Sequence, residues 1–241
     1  RVLAQEDILS SLFGNMIMVA GTPDSRLTEE TLDRLVSDRY TEMTTERRFS
    51  GDRLTVYSEQ EIGDEGDVPV TSPVTTQAII NRVTSIPAGD PLTIYMVGSV
   101  EEPGLFRLSE GEILGANMLG AALTAEKRTG LTLLIIDCDH AAALGSVIRL
   151  AAGGNPNLQI IAGTGSEEDN IAIFSTVPET GQPFSFSDVF FDQLAQGILL
   201  DEAFEEAKER LTQVQGPVRI QVLISFPDPI SDAFVDFAIG M

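Results

Sequence analysis

With 241 residues and 43% hydrophobic side chains, the chain can bury one large core, which excludes an intrinsically disordered segment. Its 37 acidic residues against 15 basic ones leave a formal charge of -22, a field that repels phosphate backbones and anionic lipid and so excludes nucleic acid as a partner. A single cysteine excludes an internal disulfide framework, and no apolar run approaches the roughly 20 residues that cross a bilayer, so membrane insertion of this segment is not expected.

In chain order, "NMIMVAG" (15–21) is an apolar run closed by glycine, the pattern of a buried strand. "TEETLDRLVSDRYTEMTTER" follows as an amphipathic helix with Thr28 as N-cap and Leu32, Leu35, Val36, Tyr40 and Met43 on one face. "RLTVYS" (53–58) reads as a second strand and "EQEIGDEGDVPVTSP" (59–73) as an acidic loop. "TTQAIINRVTSI" is helical, and "DPLTIYMVG" (90–98) is the third strand. "EEPGLFRLSEGEIL" predicts a short hairpin, and "GANMLGAALTAEKRTG" a helix stopped at Gly130. "LTLLIIDCD", continuously apolar, is the fourth strand and is expected to be buried on both faces. "GSVIRLAAGG" reads as a weak helix or turn, and "LQIIAGTG" (158–165) as the fifth strand. "SFSDVFFDQLAQG" and "LDEAFEEAKERLTQV" read as two helices, and "RIQVLISF" (219–226) as a sixth strand.

This alternation predicts an α/β fold: one domain over 1–241, a three-layer α/β/α sandwich around a mostly parallel sheet of about six strands. In such sheets sites gather outside the carboxyl ends of neighbouring strands. The third and fourth strands end in Gly98-Ser99-Val100 and Asp137-Cys138-Asp139-His140, so chemistry is expected there. The chain starts at Arg1 and ends in "FVDFAIGM", and it reads as a piece of a longer protein.

These segments resemble the caspase-like clan of cysteine peptidases, and most closely the legumain-like (C13-type) domains of bacterial and archaeal surface proteins. The resemblance rests on "NMIMVAG", "RLTVYSEQE", "GLFRLSEGEIL", "IIAGTGSEEDNIAIF" and "FSFSDVFFDQLAQGILLDEAFEEAKERL", in the family's order along nearly the whole chain. In that family the third strand runs into a His-Gly pair and the fourth into Asp-Ala-Cys-x-Ser-Gly. The resemblance implies that Ser99 stands where the general-base histidine belongs and Val100 where the following glycine belongs. It likewise implies that Cys138 lies on the family's alanine, Asp139 on its nucleophilic cysteine, and Ala141-Ala142 on Ser-Gly. Asp137 matches an acidic position that the family holds structurally. The implied catalytic set is therefore empty, with Ser99 and Asp139 as degenerate positions.

The chemistry of these residues points the same way. A cysteine nucleophile works as a thiolate kept reactive by a nearby positive group, and Cys138 is flanked by two carboxylates. Ser99 cannot take up a proton at neutral pH, and a β-branched Val100 would crowd an oxyanion site. A rival arrangement pairs Cys138 with His140, the only histidine, on the same strand face, and another makes Asp137 and Asp139 a carboxylate pair for a cation. Against these stand plainer readings: Cys138 as a buried small hydrophobe, His140 as a rim residue, both aspartates as structural or solvated. "GDEGDV" (63–68) lacks a full calcium-ligand series and reads as a solvated loop, and Phe184, Phe186, Phe190 and Phe191 read as core. The expectation is a pseudopeptidase, a structural or protein-interaction module of a larger extracellular or cell-surface protein. Its partners would be proteins or flanking domains, and no metal or cofactor is called for. The alternative is a divergent cysteine endopeptidase using Cys138.

Overall fold

The computed structural model describes residues 14–24, 27–46, 49, 51–165, 175–176, 183–196 and 198–215. Its centre is a six-stranded sheet built from β1 (Asn15–Ala20), β2 (Leu54–Tyr57), β3 (Val70–Thr71), β4 (Leu92–Gly98), β8 (Thr132–Cys138) and β9 (Leu158–Ala162). The order is β3-β2-β1-β4-β8-β9, and each neighbouring pair is parallel. Between β4 and β8 the chain makes a small antiparallel sheet of β5 (Val100–Glu102), β6 (Leu105–Ser109) and β7 (Glu112–Gly115). A further short pair is β10 (Ser175–Thr176) with β11 (Pro183–Phe184).

Strand alternation sorts side chains into two apolar layers. Met16, Met18, Tyr95, Val97, Leu133, Ile135 and Ile161 face α1 (Glu29–Thr41), α5 (Phe186–Ala195) and α6 (Leu200–Gln215). Ile17, Val19, Ile94, Met96, Leu134, Ile136 and Ile160 face α2 (Thr76–Ser85), α3 (Ala116–Ala122), α4 (Ala141–Ala151) and the β6-β7 hairpin. The result is an α/β/α sandwich. Because β4 and β8 are buried at every position, both faces are apolar, which is why these strands read as continuous runs. Each fully buried Leu, Ile, Val or Met contributes about 1.5–3 kcal/mol by removal from water.

Helix starts follow local chemistry. The Thr28 hydroxyl accepts from the Thr31 amide at 3.2 Å and Thr75 accepts from Ala78 at 3.1 Å, each satisfying an otherwise open N–H. Beyond Thr41 the first helix loosens into a π-type turn over Glu42–Glu46 that still buries Met43.

Three expectations are corrected. The predicted strand 219–226 lies outside the described residues; within the loop predicted for 59–73, Val70–Thr71 forms the edge strand β3 of the sheet. The helix expected to run to Gly130 stops at Ala122, and the chain turns so that the buried Arg128 guanidinium donates to the carbonyls of Ile86, Pro87 and Asp90. Gly130 is not a helix stop: a Cβ there would lie 2.4 Å from the Gly89 carbonyl oxygen. The weak helix or turn expected over 145–154 is an 11-residue helix beginning at Ala141, because Ala141, Ala142, Leu144, Gly145 and Ile148 make one buried face.

Candidate functional site

β4 and β8 pair in register from Leu92↔Thr132 to Gly98↔Cys138, which places the next residues, Ser99 and Asp139, at the carboxyl ends of adjacent parallel strands. The expectation that these two residues follow the ends of adjacent parallel strands thus holds. Ser99 is 7% exposed, and its carbonyl accepts the Arg107 amide at 3.0 Å, so the segment after β4 is tied to β6. Val100 opens β5 and pairs with Phe106.

Sheet order reverses direction between β1 and β4, where an open α/β sheet usually leaves a crevice. Here the hairpin fills it. The Phe106 ring presses onto Gly21 and Gly98: a Cβ on Gly98 would come within 2.9 Å of both the Gly21 Cα and Phe106 Cζ, and one on Gly21 within 2.5 Å of the Arg107 carbonyl oxygen. Thr22 donates its amide to that same carbonyl at 2.9 Å. Glycine at these two positions lets β6 close over the strand ends.

The cysteine and the histidine are not brought together as a strand pair. β8 ends at Cys138, and His140 occupies the N-cap position of α4 in the left-handed region (φ 54°), so the same-face geometry predicted for residues 138 and 140 does not apply. Cys138 is 0% exposed and packs in the layer with Leu134, Ile136, Ala141 and Ala142. Burial pushes its thiol well above the usual cysteine range, and Asp137 and then Asp139 push it further. Such a thiol is protonated at neutral pH and shielded from reagents. The α4 amides beside it are occupied too. The Thr164 hydroxyl donates to the Cys138 carbonyl at 2.7 Å and accepts the Ala141 amide at 3.0 Å, while the Thr164 carbonyl accepts the Ala142 amide at 3.1 Å.

Asp137 points to the opposite layer and anchors a buried polar network that sequence reasoning did not resolve. Its Oδ2 accepts the Ser187 amide at 3.0 Å in the first turn of α5, while its Oδ1 is buried with no hydrogen-bond partner among the described residues. The Ser187 hydroxyl lies 2.8 Å from both the Tyr95 hydroxyl and the Ser185 hydroxyl. Ser185 and Asp188 form a reciprocal capping box, and Arg34 holds the Asp188 carboxylate by two hydrogen bonds, 3.3 and 2.8 Å long. Arg39 lies over the Phe191 ring, 4.8 Å from its centroid. Burial raises the Asp137 carboxyl to about 6, against the lowering effect of the Ser187 and Ser185 groups, and Asp188 adds to the rise. Tyr95 is likewise raised well above its ordinary value, first by burial and then by Asp137. Two signals for this network stood in the sequence: an acid closing an apolar run needs a buried partner, and Ser185-x-x-Asp188 is a capping-box spacing.

Other candidates resolve simply. Phe186, Phe190 and Phe191 are core, with ring centroids 5.5 Å apart for Phe186–Phe190 and 5.8 Å for Phe190–Phe191. The acidic loop forms a short turn over Asp64–Gly66, closed by an Ile62↔Val68 bridge, and Asp33 accepts the Gly63 amide at 2.6 Å. Among the described residues no group of three or more His, Cys, Asp or Glu is placed to hold a metal ion, and no helix is long and apolar enough to cross a membrane. A surface cavity of about 390 Å³ lies beside Ser146, Arg149, Leu150, Gly153 and Gly154. Because α4 runs back from the end of β8, this cavity sits at the far end of the helix from Ser99 and Asp139.

No family model matches the chain, and no curated protein matches it. Among solved structures, it is similar to the crystal structure of Raptor from Chaetomium thermophilum, with 9% identity and a TM-score of 0.42; the match covers 78% of this chain and spans 18% of that one.

Proposed function

We propose that this chain is a caspase-like pseudopeptidase domain of the legumain type, a structural or protein-interaction module within a larger extracellular protein. The observation that carries the reading is the state of Cys138. The chain's one thiol is 0% exposed, faces an apolar layer, and is held protonated by burial and two carboxylates. A nucleophile needs the reverse: exposure, a lowered pKa and a base within reach. Ser99 and Asp139, at the paired strand ends, supply neither an imidazole nor a thiol. The Phe106 ring and the β6 backbone cover Gly21 and Gly98 beside these strand ends, which narrows access to them. The acidic surface suits a protein exposed to salt and crowded by other proteins rather than by polyanions.

The test is hydrolysis of a pooled fluorogenic peptide library by the wild type and by Cys138→Ala. Wild type is expected to show no turnover above buffer. Turnover lost in Cys138→Ala would establish the shifted cysteine as a nucleophile and overturn the reading. Asp139→Cys alone should remain inert, since members of a catalytic unit act together. Ser99→His with Asp139→Cys and Val100→Gly is the smallest set expected to recover a trace of activity.

A further inference from the structure

We propose that Asp137 and the first turn of α5 form a pH-sensitive latch, in which the buried carboxyl at the end of β8 holds the helix against the sheet more tightly when protonated than when ionised. The proposal is independent of whether these strand ends ever cleaved a peptide.

The geometry favours the neutral acid. Asp137 is 0% exposed; its Oδ2 accepts the Ser187 amide at 3.0 Å, and the Ser187 and Ser185 hydroxyls beside it only partly offset the cost of burying the charge. A carboxylate kept ionised inside a protein usually accepts two or three N–H bonds or touches a cation. Here the second oxygen has no hydrogen-bond partner among the described residues and lies against Gly163 and Phe186, where a Cβ added to Gly163 would stand 3.1 Å from both. Among the described residues, the groups around it bring no positive charge. From β4 comes the Tyr95 hydroxyl, itself held protonated by burial; from α5 comes Asp188, of like sign; and on its own strand the neighbour is the buried Cys138 thiol. The cations of α1 are directed elsewhere, Arg34 to Asp188 and Arg39 to Glu42 and the Phe191 ring. The carboxyl also touches the element it would release, because Ser187 belongs to the first turn of α5 and its hydroxyl bridges to Tyr95 on the sheet.

The direction follows from linkage. A carboxyl whose docked pKa is raised, here to about 6, binds its proton more tightly docked than free. Docking is therefore strongest below the free aspartate value and weakens as pH rises through about 6. That is opposite to the behaviour of paired surface carboxylates, which lose stability on acidification.

Amide exchange, corrected for intrinsic rates, can read this locally, with α2 on the opposite layer as the internal reference. Between about pH 4.5 and about pH 7.5, protection of Phe186–Ala195 relative to Thr76–Ser85 is expected to fall about 25-fold in the wild type. In Asp137→Asn, which keeps an acceptor for Ser187 and carries no charge, the ratio should stay flat. A flat wild-type ratio, or an equal fall in the variant, overturns the latch. Should Asp137→Asn not fold, carbonyl-detected NMR titration of the wild-type Asp137 side chain decides: a midpoint near 6 supports the proposal, and one at or below the ordinary aspartate value overturns it.

Discussion

Asp137 and Cys138 are consecutive residues at the end of one strand, equally buried, and their surroundings could hardly differ more. Asp137 enters a layer threaded by hydroxyls, a capping box and two arginines. Cys138 enters an apolar layer of Leu, Ile and Ala under α3 and α4. A strand buried on both faces sorts alternate residues into separate environments, so proximity in sequence says nothing about shared chemistry. The residue type that draws attention, the thiol, is filler. The residue that draws less, the carboxylate, organises its surroundings.

The sharpest way to break this contrast is to remove what covers Asp137. Phe186 is 0% exposed, stacks on Phe190 with ring centroids 5.5 Å apart, and meets Phe204 at 5.7 Å. Phe186→Ala is expected to cost about 3–5 kcal/mol in urea unfolding, through lost burial and the cavity left behind. It should also let water reach the carboxyl, so the Asp137 titration midpoint should move back toward the ordinary aspartate value. A variant that loses stability with the midpoint unmoved would mean that burial by α5 is not what raises Asp137.

A smaller effect tests the other layer. Cys138→Ala removes one sulfur from an apolar site, whereas Cys138→Ser places a hydroxyl there that needs a partner. Serine should therefore destabilise more than alanine despite its closer shape, by about 1–3 kcal/mol. Equal stability of the two variants would show that the layer is wet. The same apolar burial predicts that iodoacetamide labels the native thiol much more slowly than free cysteine, and labelling faster than free cysteine would revive a nucleophilic role.

Much of this architecture was legible in the residues. Continuous apolar runs such as "TIYMVG" and "LTLLII", short and rich in β-formers, read as strands covered on both sides, and their alternation with amphipathic helices favours parallel pairing. Thr28 as N-cap followed from that pattern, whereas the adjacency of Ser99 and Asp139 was what the family resemblance implied. The short edge strand Val70–Thr71 was not legible, since two residues carry no periodicity and Pro69 and Pro73 argue for a loop. Nor was the early end of α3: Arg128 reads as an exposed helix residue until three carbonyls from another loop are seen to surround its guanidinium. The Asp137 network spans β4, β8 and α5, and contacts so distant in sequence leave only local hints such as the capping box.

The smallest expected effect concerns His140, whose role at the rim separates a turn residue from a remnant of chemistry. It sits at φ 54° and ψ 26°, a left-handed conformation that costs a non-glycine residue about 1 kcal/mol, and its side chain makes no N-cap hydrogen bond to α4. Glycine adopts this conformation without strain, though it also gains freedom in the unfolded chain, and the two terms partly offset. His140→Gly should therefore change stability by less than about 1 kcal/mol, in the stabilising direction. Urea unfolding at neutral pH measures it directly. A loss of more than about 1 kcal/mol would mean that the imidazole contributes more through its contacts than the backbone strain costs.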